Sequence, residues 1–176
     1  MTMSQSITVR THTVRSTSSV LVINLGYLKT WSGILKALEL ALGIVCVSIA
    51  ASALDNTPGL QYLSTSNDNI FTLYKAHIFF LLITVTFMIG TFILLLSCLV
   101  SFYTSTGIAK TVYEIIYHSI AFGLYITASI TYFIPVLEVH RNHRGNYSHL
   151  MAAAIIGLVN SALYLLSTIM ARRLYK

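Results

Sequence analysis

Lys36, Glu39, Glu114 and His118 are the residues of this chain whose types and spacing could do chemistry. Each lies within or at the edge of a long apolar run, and an ionisable group in hydrocarbon costs several kcal/mol unless it is paired or hydrated. Lys36 and Glu39 are three residues apart, and Glu114 and His118 are four apart, so each pair shares one helix face. Both pairs fall near the same end of their runs, which predicts one buried polar cluster. Acting as acid–base groups, its members could pass protons or hold an ion; tied to one another, they would only fix helix register. A proton path or ion site needs a polar chain across the bilayer, and the outer halves of the same two runs do not supply one. Lys36 can snorkel to the surface, whereas Glu39 is about two turns deep and cannot reach it so easily. His77, at an outer helix end, reads as interfacial. Asn160 lies in the middle of the last run, where its amide is expected to bond a neighbouring helix or a backbone carbonyl.

The elements that must position these groups are four apolar segments, at about 32–54, 76–102, 112–136 and 150–171. A helix needs roughly 20 residues to cross roughly 30 Å of hydrocarbon, and all four are long enough. Lipid leaves bare backbone groups without partners, so only helices or a closed barrel can span it. Barrel strands would be about ten residues of strict alternation, and these runs are longer and continuous. The expected fold is an all-α, four-helix transmembrane bundle. Composition agrees: 56% of residues are hydrophobic and only 9% charged, against about 25% charged in a soluble domain. With four crossings both ends lie on one side. That side would hold Arg10, Arg15, Lys29, Lys36, Lys110, Arg172, Arg173 and Lys176, and the other Lys75, Arg141 and Arg144. Eight basic residues against three put the N- and C-termini in the cytosol.

The net charge of +6 is scattered beside apolar runs, which suits anionic lipid head groups and not nucleic acid. Residues 1–21 are dense in Ser and Thr without periodicity and read as a disordered cytosolic tail, with residues 22–176 forming the domain. No cleavable signal is visible, so the first run would serve as an uncleaved anchor. Tyr27 and Trp31 suit the head-group level. Two small-residue stripes at i,i+4 spacing, Ser119, Gly123, Thr127 and Ala153, Gly157, Ser161, are candidate helix-packing surfaces. Cys46 and Cys98 read as packing residues, Cys98 being also a weak palmitoylation candidate. Asn146 opens an Asn-Tyr-Ser sequon, a candidate glycosylation site close to the last helix. No cofactor, metal-ligand spacing, nucleophile elbow or phosphate loop is found, and His140, His143 and His149 lack partners at ligand spacing.

Three stretches together resemble a known family. INLGYLKTWSGILKALELALGIVCVSIAAS is similar to the opening of MARVEL-domain proteins, closest to the chemokine-like-factor and plasmolipin branch: a Y-L-[KR]-T approach, a Gly, then a helix with Lys and Glu near its start. VYEIIYHSIAFGLYITASI resembles that family's third helix, and MAAAIIGLVNSALYLLSTIMARRLYK its last helix and basic stop. The resemblance covers about residues 22–176. It implies a non-enzymatic membrane organiser, in transport vesicles or the plasma membrane, acting in vesicle traffic, membrane apposition or fusion, with cell–cell fusion as in myoblasts the specific version. Membrane lipids, other membrane proteins and a homo-oligomer are the partners it implies. This chain lacks the outer-loop Cys pair often found in the family. Two alternatives stand beside this reading: a small channel or transporter, and a membrane enzyme using Glu39, Glu114 and His118.

Glu39→Leu is expected to leave topology intact and to weaken packing between the first and third helices. Unchanged thermal stability in detergent would remove the proposed cluster.

Overall fold

The computed structural model describes residues 25–56, 68–100, 112–142 and 148–175. The leader 1–21, the Pro58–Gly59 turn, Lys110 and Asn146 lie outside the described residues. A short 3₁₀ turn, Leu25–Lys29, leads into helix α1, Trp31–Asn56; α2 is Asp68–Val100, α3 is Val112–Asn142 and α4 is Ser148–Tyr175. All four are long and apolar enough to cross a membrane.

The entry to α1 shows why the Tyr-Leu-Lys-Thr-Trp-Ser-Gly stretch has its residues in that order. Thr30 is the N-cap: its carbonyl accepts the first helical bond from Ile34 N at 2.9 Å, and its Oγ1 accepts from Gly33 N at 3.1 Å. The Thr30 N–H and hydroxyl both turn back to the Tyr27 carbonyl, at 3.0 and 2.6 Å. That carbonyl lies so close over Gly33 that any Cβ there would strike it. Glycine at this point is therefore a matter of space.

Two helices outrun by well over a turn the apolar segments that announce them. α2 begins at Asp68 where the expected start was 76, and α3 runs to Asn142 where the expected end was 136, passing through Pro135. Hydropathy marks the part of a helix that suits lipid, whereas backbone hydrogen bonding continues until something stops it. Pro135 removes one such bond, to the carbonyl four residues back, but its ring is buried in the packed interior and the helix continues.

The helices form a ring in the order α1, α2, α3, α4, with each packed against its two neighbours and α3 against α4 most extensively. Neighbours run antiparallel. Glu39 near the start of α1 meets Ser167 near the end of α4, and Thr91 late in α2 meets Tyr117 early in α3. Side chains also bridge the diagonals, Lys36 to Glu114 between α1 and α3, and Thr91 to Tyr164 between α2 and α4.

The inward seam repeats at alternating steps of three and four residues, as in Lys36, Glu39, Gly43, Cys46, Ala50, Ala53 of α1. This is the spacing of a left-handed bundle. The seam is built mainly from Ala, Gly, Tyr and polar residues, with Leu73, Phe80, Ile83 and Phe87 added on α2, and most of the large aliphatics face out: Leu82 is 62% exposed, Ile93 55% and Val159 51%. Hydroxyls on the outer face serve their own helix, with Ser48, Thr86, Ser97 and Thr127 each donating to the carbonyl four residues back at 2.7–2.8 Å.

The two glycines of the small-residue stripes stand in opposite situations. A Cβ at Gly157 would lie 2.6 Å from Ser129 Oγ and 2.8 Å from the Phe80 ring, while one at Gly123 would meet nothing within 4 Å. Gly157→Ala should therefore destabilise the bundle by about 1–3 kcal/mol, and Gly123→Ala should be neutral or mildly stabilising. Thermal unfolding of both variants in detergent reads the difference.

Candidate functional site

The polar groups of the interior fall into layers along the bundle. At the first layer Lys36, 1% exposed, forms an ion pair with Glu114, and its Nζ also donates to Ser32 Oγ at 2.7 Å. Ser32 in turn lies 3.4 Å from Glu114 Oε1 and 3.2 Å from the Tyr27 hydroxyl. The Lys36 ammonium sits 5.8 Å from the Tyr27 ring centroid, within cation–π range. Burial pushes the Tyr27 hydroxyl up from its ordinary range despite the nearby lysine, so the phenol stays neutral. Lys36 does not snorkel. A carboxylate, a hydroxyl and an aromatic face already wait inside the bundle, and together they replace the water it would otherwise seek.

One turn deeper, Glu39 Oε1 accepts from Ser167 Oγ of α4 at 2.5 Å, and Glu39 Oε2 faces His118 Nε2 at 3.6 Å. His118 Nδ1 lies 2.7 Å from the backbone carbonyl of Glu114. The four ionisable residues thus come together, but pair crosswise between α1 and α3 and not along each helix. The third layer is phenolic: Thr91 Oγ1 is 2.8 Å from Tyr164 Oη and 3.1 Å from Tyr117 Oη. Phe87 packs among Tyr117, Tyr125 and Tyr164 at centroid distances of 5.8–6.1 Å.

Asn160 stands apart from the cluster. It is seven residues before Ser167, roughly 10 Å along α4. Contrary to expectation, its fully buried amide makes no hydrogen bond in the structure. The Tyr125 hydroxyl lies beside it without reaching hydrogen-bonding geometry, so neighbouring groups crowd the amide but do not align with it. His77 is also placed differently from its reading as interfacial. It is fully buried, its Nδ1 3.0 Å from Tyr132 Oη, and Tyr132 stacks on Phe80. Polar groups therefore reach the far half of the bundle, where the sequence shows no polar chain in the first and third runs. Cys98 is 1% exposed and packed with Tyr27 and Leu95, which closes it to acylation in this packing.

The stripe Ala153, Gly157, Ser161 is buried. The stripe Ser119, Gly123, Thr127 faces outward and packs no helix of this chain, because the inward face of α3 is taken by His118, Ala121, Tyr125 and Ala128. Sequence reasoning passed over Ser32, Ser167, Thr91, Tyr117, Tyr125, Tyr132 and Tyr164. A signal for several of them was present: His77, Thr84, Thr91 and Cys98 recur every seven residues, as do His118, Tyr125 and Tyr132. Among the described residues no cluster of three metal-ligating side chains occurs.

Four antiparallel apolar helices closed around a polar seam define a multi-pass, tetraspanning membrane protein. The family model MARVEL, described as a membrane-associating domain, matches residues 27–170, and the chain belongs to that family. No curated protein and no solved structure matches it.

Removing one partner of a buried ion pair strands the other, at a cost of about 3–5 kcal/mol, whereas replacing both with apolar residues is often neutral. Lys36→Met and Glu114→Leu should each destabilise strongly, and the double variant should recover most of the loss. Reversible unfolding in bicelles tests this. Additive losses would mean that the two groups are not coupled.

Proposed function

We propose that this chain is a non-enzymatic membrane organiser acting in vesicle traffic, membrane apposition or fusion. The carrying observation is the direction in which its groups point. The ionisable side chains Lys36, Glu39, Glu114 and His118 turn inward toward one another and outward hydroxyls bond their own helix, while every helix offers large aliphatics to its surroundings, so lipid and other membrane helices are the natural partners. Membership of a membrane-associating family supports the same reading. The polar layers then act as fixtures of helix register.

The finer proposals rest on the sequence. Residues 1–21 form a tail of their own, and the basic residues put both termini in the cytosol. The protein resides in transport vesicles or the plasma membrane. Three ordered stretches resemble the chemokine-like-factor and plasmolipin branch, and the length and Ser/Thr/Arg leader resemble an insect protein of myoblast fusion. Cell–cell fusion is accordingly the specific version.

A small channel or transporter is the second reading, favoured by the buried polar groups Tyr125 and Asn160 near the middle of the bundle and His77 and Tyr132 beyond them. Against it, Phe80 and Phe87 fill the interior between these layers, as expected of a packed core.

Loss of the protein from a fusing cell type should leave stalled contacts or unfused vesicles at sites of apposition, seen by electron microscopy. Normal contacts with altered ion flux would favour the transporter reading instead.

A further inference from the structure

Glu39 Oε2 and His118 Nε2 lie 3.6 Å apart, both side chains are completely buried, and neither atom has a hydrogen-bond partner in the structure. The remaining polar atoms of the two groups are committed. His118 Nδ1 is 2.7 Å from the Glu114 carbonyl, which can only accept, so Nδ1 carries a hydrogen. Glu39 Oε1 accepts from Ser167. A neutral imidazole fixed in this tautomer presents a lone pair at Nε2, and an ionised Glu39 presents another lone pair to it. Two acceptors 3.6 Å apart in a buried, low-dielectric interior repel. At 3.6 Å they also leave no room for a water between them.

We propose that Glu39 and His118 form a membrane-embedded site that binds one proton, shared between Oε2 and Nε2. The charges around it require the same number. From α1 the site is faced by Lys36 and from α3 by Glu114, and these two cancel as an ion pair. Tyr117 of α3 and Tyr164 of α4 border the imidazole at centroid distances of 5.2 and 6.0 Å and are neutral phenols. α4 adds the Ser167 hydroxyl, and α2 reaches this level through Thr91, bound to both phenols. Glu39 is then one anion without a counter-charge. One proton taken from solvent brings the sum to zero, either as imidazolium beside carboxylate or as carboxylic acid beside imidazole. Without it a net charge would be buried in a medium of low dielectric, which destabilises the bundle. The proton therefore acts as a ligand that joins α1 to α3, one turn below the Lys36–Glu114 pair.

Nuclear magnetic resonance of the full chain in lipid nanodiscs tests this, with ¹³C,¹⁵N-labelled histidine and ¹³C-labelled glutamate. Tyr117-His118 is the sole Tyr-His step in the sequence, so carbonyl-labelled tyrosine identifies the His118 amide and, through it, the ring. The expected result at neutral pH is a protonated Nε2 on His118 or, with the proton on the other partner, a protonated Glu39 carboxyl. In Glu39→Gln, whose amide can donate to Nε2 and hold the same geometry, His118 should become neutral with its proton on Nδ1. A neutral His118 beside an ionised Glu39 in the unmodified chain would overturn the proposal. So would a His118 that stays doubly protonated in Glu39→Gln, because the proton would then belong to the imidazole alone.

Discussion

Lipid supplies neither hydrogen-bond partners nor a screening medium, so the polar atoms of α1–α4 have only one another, and the Lys36–Glu114 ion pair is where that constraint presses hardest. Both charges are shut inside the bundle on opposite helices, and neither can be satisfied unless α1 and α3 stand at one height. Ser32 and Tyr27 complete the lysine's surroundings, which in turn requires the chain to enter α1 through a tight turn capped by Thr30. Glu39 is one helical turn further on and must share Lys36's face. It arrives opposite His118 and beside Ser167, so the height of α4 is set by the same event. Thr91 brings in α2 through two phenols. Four helices are thus held in register by a few side chains, and the rest of the seam is free to be small.

That freedom explains the inverted packing. In water a helix hides its aliphatics and shows its polar groups. Here most Ile, Leu and Val face outward because lipid accepts them, and the interior is rich in Ala, Gly and Tyr, where small residues bring backbones close and aromatic rings fill what remains. Gly157 against Phe80 and Ser129 is the tightest instance on α4. A hydroxyl that faces lipid turns back to its own helix, as Thr86 and Ser97 do, and so adds no polarity to the surface. What the spanning parts of the described helices present to their surroundings is consequently almost all apolar, which suits a membrane-associating domain.

Much could be read from residue order alone. Four runs of apolar residues, too long for barrel strands and flanked by scattered Lys and Arg, determine an all-helical tetraspan, because hydrocarbon permits few alternatives. The spacing of Lys36 with Glu39 and of Glu114 with His118 determines that each pair shares a face. The entry into α1, the start of α3 and the last helix carry the family resemblance, and the MARVEL match over residues 27–170 agrees with it. Tertiary structure decided the rest. Mean hydropathy alone does not separate the lipid face of these helices from the core face, since apolar residues stand on both. The stripe Ser119, Gly123, Thr127 therefore looked as suited to packing as Ala153, Gly157, Ser161, although the first faces outward and the second inward. Nor could spacing along one helix reveal that Lys36 bonds across the bundle, that His77 meets Tyr132, or that Asn160 is left without a partner. Those outcomes depend on the rotation and height of neighbouring helices, and these are set only when all four close around the same buried charges.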